Sequence, residues 1–133
     1  MKVEKIEGIG AKYGKILRNN GIATTDALLK KGATKKGRGE VAKATKISEK
    51  LILEWVNLSD LMRITGIGEE YSDLLEEAGV DTVKELRNRV PENLHKKILE
   101  VNTKKKLVRR PPALSMVKSW VKQAKKLKPV VSY

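Results

Sequence analysis

The sequence predicts an all-α protein of two fused helical units, and three observations carry that prediction. Apolar residues recur at helical steps of three and four along the 133 residues, and no run alternates as a strand would. Phe is absent and aromatics make up 4% of the chain, so the core must come from Leu, Ile, Val and Ala, an inventory that suits small helical folds. A 24-residue stretch also occurs twice: Ile6 to Leu29 aligns without gaps on Ile64 to Arg87 at an offset of 58, sharing Ile6/Ile64, Gly8/Gly66, Ile9/Ile67, Gly10/Gly68, Tyr13/Tyr71, Leu17/Leu75, Gly21/Gly79, Thr24/Thr82 and Leu28/Leu86.

The elements follow in order. A short helix over about Val3–Ile6 leads into the Gly8–Gly10 turn, and a second runs from about Ala11 to Asn20 with Tyr13, Ile16 and Leu17 on one side. Gly21 stands where a left-handed residue ends a helix. Thr24 or Thr25 caps a third, carrying Ala27, Leu28 and Leu29. The stretch Gly32–Gly39 (GATKKGRG) reads as a mobile basic loop, followed by a short helix over about Glu40–Ala44. Ser48 caps a longer helix, Glu49–Met62, with Leu51, Trp55, Leu58 and Met62 on one stripe. That helix stops four residues before Gly66, so it closes the first unit and opens the second.

The second unit repeats the plan. Thr82-Val83-Lys84-Glu85 has the spacing of a capping box, and Pro91 suits the first turn of a helix through about Val101. A final helix over about Ala113–Leu127 buries Val117, Trp120, Val121, Ala124 and Leu127. Trp120-Val121 matches Trp55-Val56 at an offset of 65, so seven residues are added ahead of it, in a region holding Lys104–Lys106 and Arg109-Arg110-Pro111-Pro112. The predicted division is 1–60, 61–128 and a tail, 129–133, with about five short helices per unit.

Charge is distributed unevenly. The net +13 divides into +7 over residues 1–57, −4 over 58–100 and +10 over 101–133, the last containing no acidic residue. Such a field attracts polyanions at long range. There is no cysteine, which removes disulfides and thiolate metal sites. The N-terminus lacks the apolar run of a signal peptide, and no window approaches a membrane span, so the expectation is a soluble, cytoplasmic protein with no membrane partner. One histidine, His95, and no cysteine nucleophile leave nothing from which to assemble a catalytic or metal site. GIGAKYG lacks a preceding strand and the spacing of a dinucleotide fingerprint. The sequence therefore predicts a non-enzyme with no cofactor, no metal and no small-molecule substrate.

A Gly-Ile-Gly turn opening a helix presents backbone N–H groups to an anion. The pattern around each turn, with small Gly14 or Ser72 four residues after the second glycine and then Leu17 or Leu75, resembles the helix-hairpin-helix motif. The resemblance covers residues 3–29 and 61–87, and the whole chain looks like an uncharacterised bacterial family of tandem helix-hairpin-helix (SAM-like) units. Similar hairpins occur in DNA repair proteins, DNA ligases, polymerase accessory domains and a ribosomal small-subunit protein. What the resemblance implies is backbone-phosphate binding by hairpin amides without sequence readout, sometimes aided by a monovalent cation held by carbonyls.

Carried onto this chain, the phosphate-facing positions are Gly8, Ile9, Gly10, Ala11 and Lys12, with Lys5, Lys15 and Arg18 around them. The matching turn at Gly66–Gly68 is followed by Glu69 and Glu70, whose carboxylates on the first helical turn compete for the same N–H groups, with Asp73, Glu76 and Glu77 farther along the helix, so it is a poor phosphate site. Lys104, Lys105, Lys106, Arg109 and Arg110, with Lys118 and Lys122 on the last helix, form a second basic surface. Ile9 and Ile67 are expected to plug the core, and Tyr13, Tyr71, Trp55 and Trp120 to pack within it. The expected partner is DNA, or structured RNA, bound through its backbone. The alternative is a protein-interaction or self-association module in which the acidic stretch of one copy meets a basic stretch of another, giving a homo-oligomer.

Overall fold

Both copies of the repeat fold into a glycine turn, a helix and a second, threonine-capped helix. The computed structural model describes residues 1–133. Eight α-helices follow a single 3-10 turn at Val3–Lys5: α1 Gly10–Asn19, α2 Thr25–Gly32, α3 Lys35–Thr45, α4 Glu49–Leu61, α5 Glu69–Glu77, α6 Val83–Arg87, α7 Pro91–Lys105 and α8 Leu114–Lys126. The protein is all-α, as its periodicity predicts, and its one β-bridge joins Lys2 and Thr24. No helix is long and apolar enough to cross a membrane. The chain divides into two units, Met1–Asp60 with Val130–Tyr133, and Leu61–Pro129. Residues 130–133, read from the sequence as part of a tail, thus belong with the first unit.

The repeat is legible bond by bond. Ile9 N–H donates to Ile6 O at 3.2 Å, and Ile67 N–H to Ile64 O at 3.1 Å. Ile22 and Val80 each donate to the leucine carbonyl five residues back, Leu17 and Leu75, at 2.9 Å. Thr24 caps α2 by accepting from Ala27 N–H at 3.1 Å, and Thr82 caps α6 by accepting from Glu85 N–H at 3.3 Å. Each such cap satisfies one orphan amide and contributes about 1 kcal/mol. The Glu85 carboxylate also accepts from Arg89 Nε at 3.3 Å.

In the first unit Val3, Ile6, Ile9, Leu17, Ile22, Leu28, Ile52 and Trp55 are buried. In the second unit a single cluster includes Leu61, Ile64, Ile67, Leu75, Val80, Leu86, Leu94, Ile98, Val117 and Trp120. Tyr13 tilts against Trp55 with ring centroids 5.2 Å apart, and Tyr71 against Trp120 at 5.4 Å. Edge-tilted pairs of this kind add about 1 kcal/mol beyond the apolar area they bury.

The Gly32–Gly39 stretch is not a loop. Thr34 caps α3 by accepting from Gly37 N–H at 3.0 Å, and Lys35 to Gly39 are helical. Its glycines serve close approach, not mobility. A β-carbon on Gly37 would lie 2.1 Å from the Lys31 carbonyl oxygen, and one on Gly32 would lie 2.4 Å from Val56 Cγ2. Arg38, from the supposed loop, is buried at 5% exposure and donates to the carbonyls of Gly32, Ala33 and Ser132 at 2.8, 3.2 and 2.6 Å. A buried cation requires such acceptors. Its guanidinium lies 5.8 Å from the Tyr133 ring centre, and Ser132 N–H donates to Ala33 O at 2.8 Å. These contacts hold the last residues on the first unit.

The helix read as ending near Val101 continues to Lys105, where Lys106 closes it in the left-handed conformation (φ 51°). No breaker interrupts α7, and Lys104 and Lys105 suit the negative end of its dipole.

Candidate functional site

Lysines 12 and 15 surround a turn whose geometry follows from its glycines. Gly8 and Gly10 take φ of +92° and +62°, values only glycine adopts without strain, so the chain reverses between the 3-10 turn and α1 within a few residues. Ile9 between them is buried and anchors the turn. Its N–H is bonded to Ile6 O, which removes Ile9 from the amides available to an anion. The N–H groups of Gly8, Gly10, Ala11 and Lys12 have no acceptor in the protein: the last three belong to the first turn of α1, where no i−4 carbonyl lies within the helix and no side chain caps them. All four residues are exposed. The positive end of the α1 dipole therefore faces solvent.

Lys12 and Lys15 are exposed on α1, with no acidic partner. Arg18 is otherwise engaged. Its Nε and a terminal nitrogen each lie 2.7 Å from an oxygen of Glu4, a two-bond pair across fourteen residues. The hydrogen bond from Arg18 holds the Glu4 carboxyl down at about 2, and Glu4 in turn raises the Arg18 guanidinium. Glu4 packs over Gly14, where a β-carbon would meet its Oε2 at 2.5 Å. The small residue is thus required by this pair.

The Gly66–Gly68 turn differs in two ways. Gly66 keeps a positive φ of +98°, but Gly68 is extended (φ −111°, ψ −156°) and caps α5. The first turn of α5 carries Glu69 and Glu70. Ahead of the turn, Gln123 of α8 brackets Thr65, accepting from its N–H at 3.0 Å and donating to its carbonyl at 3.1 Å. The second turn is therefore pinned and negatively framed.

The other basic residues predicted from the sequence fall within the second unit. The segment between α7 and α8 is fixed by Asn102, whose amide accepts from Val108 N–H at 3.0 Å and donates to Val108 O at 3.1 Å. Tyr71 OH donates to Arg110 O at 3.0 Å, and His95 Nε2 meets Pro112 O at 2.9 Å, so that nitrogen carries the proton. Lys106, Arg109 and Arg110 line an open cavity of about 810 Å³ together with Glu70, Tyr71, Leu107 and Val108. Lys104 is exposed in the last turn of α7. Lys105 is paired with Glu77, which withdraws it from the free cations. Lys118 and Lys122, four residues apart on α8, are exposed.

Sequence reasoning missed the supports. Asn102 falls in step with Leu94 and Ile98, four residues apart, and an amide on such a buried stripe is the signal that a loop needs holding.

A family model described as Domain of unknown function (DUF4332) matches residues 7–127, and the chain belongs to that family. No curated protein and no solved structure matches the chain.

Proposed function

We propose that this member of the DUF4332 family is a non-enzymatic, cytoplasmic protein that binds the backbone of nucleic acid, DNA in preference to RNA, without reading sequence. Its two glycine turns are read as helix-hairpin-helix elements, only the first of which takes a phosphate. One observation carries the reading: four N–H groups without an acceptor in the protein, those of the exposed residues Gly8, Gly10, Ala11 and Lys12, lie at the start of a ten-residue helix that carries two lysines without acidic partners. Amides fixed in this way complement a tetrahedral anion without reorganisation. The ordered basic segment Lys104, Lys106, Arg109 and Arg110, with Lys118 and Lys122, supplies a second set of cations suited to phosphates. Backbone amides and lysine ammonium groups meet phosphates, which carry no sequence information, so binding is expected to be indifferent to sequence.

The test is a titration of labelled duplex DNA, single-stranded DNA and folded RNA at two salt concentrations. The double variant Lys12→Glu, Lys15→Glu should weaken duplex binding by about tenfold or more on every sequence alike. It should also flatten the slope of log affinity against log salt by about 2, since each lost phosphate contact removes about 0.9. Unchanged affinity would make the first turn scaffolding. A stable oligomer of the native chain that ignores added duplex would instead mark a self-associating protein.

A further inference from the structure

We infer that the Trp55 indole N–H is a further donor of the anion site at the Gly8–Gly10 turn and bonds the same backbone phosphate as the turn's amides. This rests on the phosphate reading of that turn. Trp55 projects from the middle of α4 and is 1% exposed, yet its polar edge is directed at the turn: Nε1 lies 3.6 Å from the position that a β-carbon on Gly8 would occupy. An indole N–H this deep in a core ordinarily finds an acceptor. No protein oxygen accepts from this one, although every side-chain nitrogen and oxygen fully shut off from solvent has a partner. The Trp55 nitrogen therefore opens to the surface, beside a residue that carries no side chain to cover it. It lies beside Gly8, the first residue of the turn whose free amides belong to Gly8, Gly10, Ala11 and Lys12. An oxygen held by the turn's amides is the acceptor that this donor lacks within the protein.

The duplicated unit supplies an internal control. Trp120 Nε1 stands 3.1 Å from the matching position on Gly66, again with no acceptor. That turn, however, is followed by Glu69 and Glu70, and its Thr65 N–H is taken by Gln123. The same indole edge there faces a site that repels an anion.

With two tryptophans, the native chain gives two indole signals in a ¹⁵N–¹H correlation spectrum, and whichever of Trp55→Phe and Trp120→Phe folds assigns them. On titration with a short DNA duplex, the Trp55 signal should move in step with binding while that of Trp120 stays in place. Trp55→Phe removes the donor together with part of the ring that packs on Tyr13, a packing loss that Trp120→Phe shares against Tyr71, and affinity should fall about tenfold, the smaller end of what a hydrogen bond to a charged group contributes. Trp120→Phe should bind as the native chain does. If the Trp55 signal does not move while Lys12→Glu, Lys15→Glu weakens binding, the phosphate reading stands and the indole's role is overturned. If the lysine variant also binds normally, the phosphate reading fails and the indole proposal fails with it.

Discussion

Glu4 and Arg18 meet edge to edge, with two oxygen–nitrogen distances of 2.7 Å, across the narrow face that Gly14 leaves open on α1. The arrangement joins the 3-10 turn to the helix beyond the Gly8–Gly10 reversal. It also engages the one arginine that the sequence places around the proposed phosphate-binding turn.

The pair makes a statement about acid stability. The Glu4 carboxyl is held at about 2 against an ordinary value of 4.5, chiefly by the Arg18 hydrogen bond. Because the folded value is the lower one, the contribution is fully present above pH 4.5 and is lost as pH falls toward 2. A carboxyl-carbon NMR titration should place the Glu4 midpoint near 2 in the native chain and in the ordinary range in Arg18→Gln. Between pH 5 and pH 2, the urea midpoint of Glu4→Gln should fall less than that of the native protein.

The two glycines of the second turn should respond unequally. Gly66 combines a φ of +98° with Trp120 Nε1 3.1 Å from any added β-carbon, so Gly66→Ala should cost about 2 kcal/mol in urea unfolding. Gly68 has an ordinary backbone and nothing within 4 Å, so Gly68→Ala should change stability by no more than about 0.5 kcal/mol.

Within α3 the usual preference for alanine should reverse at one site and hold at another. Gly37→Ala drives a β-carbon against the Lys31 carbonyl and should destabilise by about 2 kcal/mol or more. Gly39 faces only the movable end of Glu49 at 3.1 Å, so Gly39→Ala should stabilise by about 0.5 to 1 kcal/mol. Thermal melts of the two variants side by side check the sign of each.

Arg38→Met should release the chain end from the first unit. It keeps most of the buried stem but leaves the carbonyls of Gly32 and Ser132 without the arginine donor and Ala33 O with Ser132 alone, for a loss of about 2 to 3 kcal/mol. Hydrogen exchange at Ser132, whose amide bonds to Ala33 O, should accelerate more than exchange in the second-unit core.

What was legible in the sequence was local stereochemistry. The glycine turns, the Thr24, Ser48 and Thr82 caps, Pro91 at the head of α7 and the plugs Ile9 and Ile67 each follow from constraints that act within a few residues. What was not legible depended on partners far along the chain. Gly32 and Gly37 signal looseness to any local rule, and only Val56 and the Lys31 carbonyl reveal that they are glycines for space. Arg38 looked like a surface cation because its acceptor at Ser132 lies 94 residues away. The same blindness hid two ion pairs: Lys105 and Arg18 appear free until Glu77 and Glu4 are placed beside them. The free amides of α1 were anticipated because a helix start leaves them orphaned by geometry alone.

The central claim is that an anion docks on the amides of the leading turn and not on their duplicates. The most direct measurement is a backbone ¹⁵N–¹H shift map during titration with a short DNA duplex at low salt. Gly8, Gly10, Ala11 and Lys12 should move together and saturate with the binding curve, while Gly66, Gly68 and Glu70 stay fixed. A map in which the Gly8–Lys12 amides are unmoved at saturation, or in which both turns move equally, would contradict it.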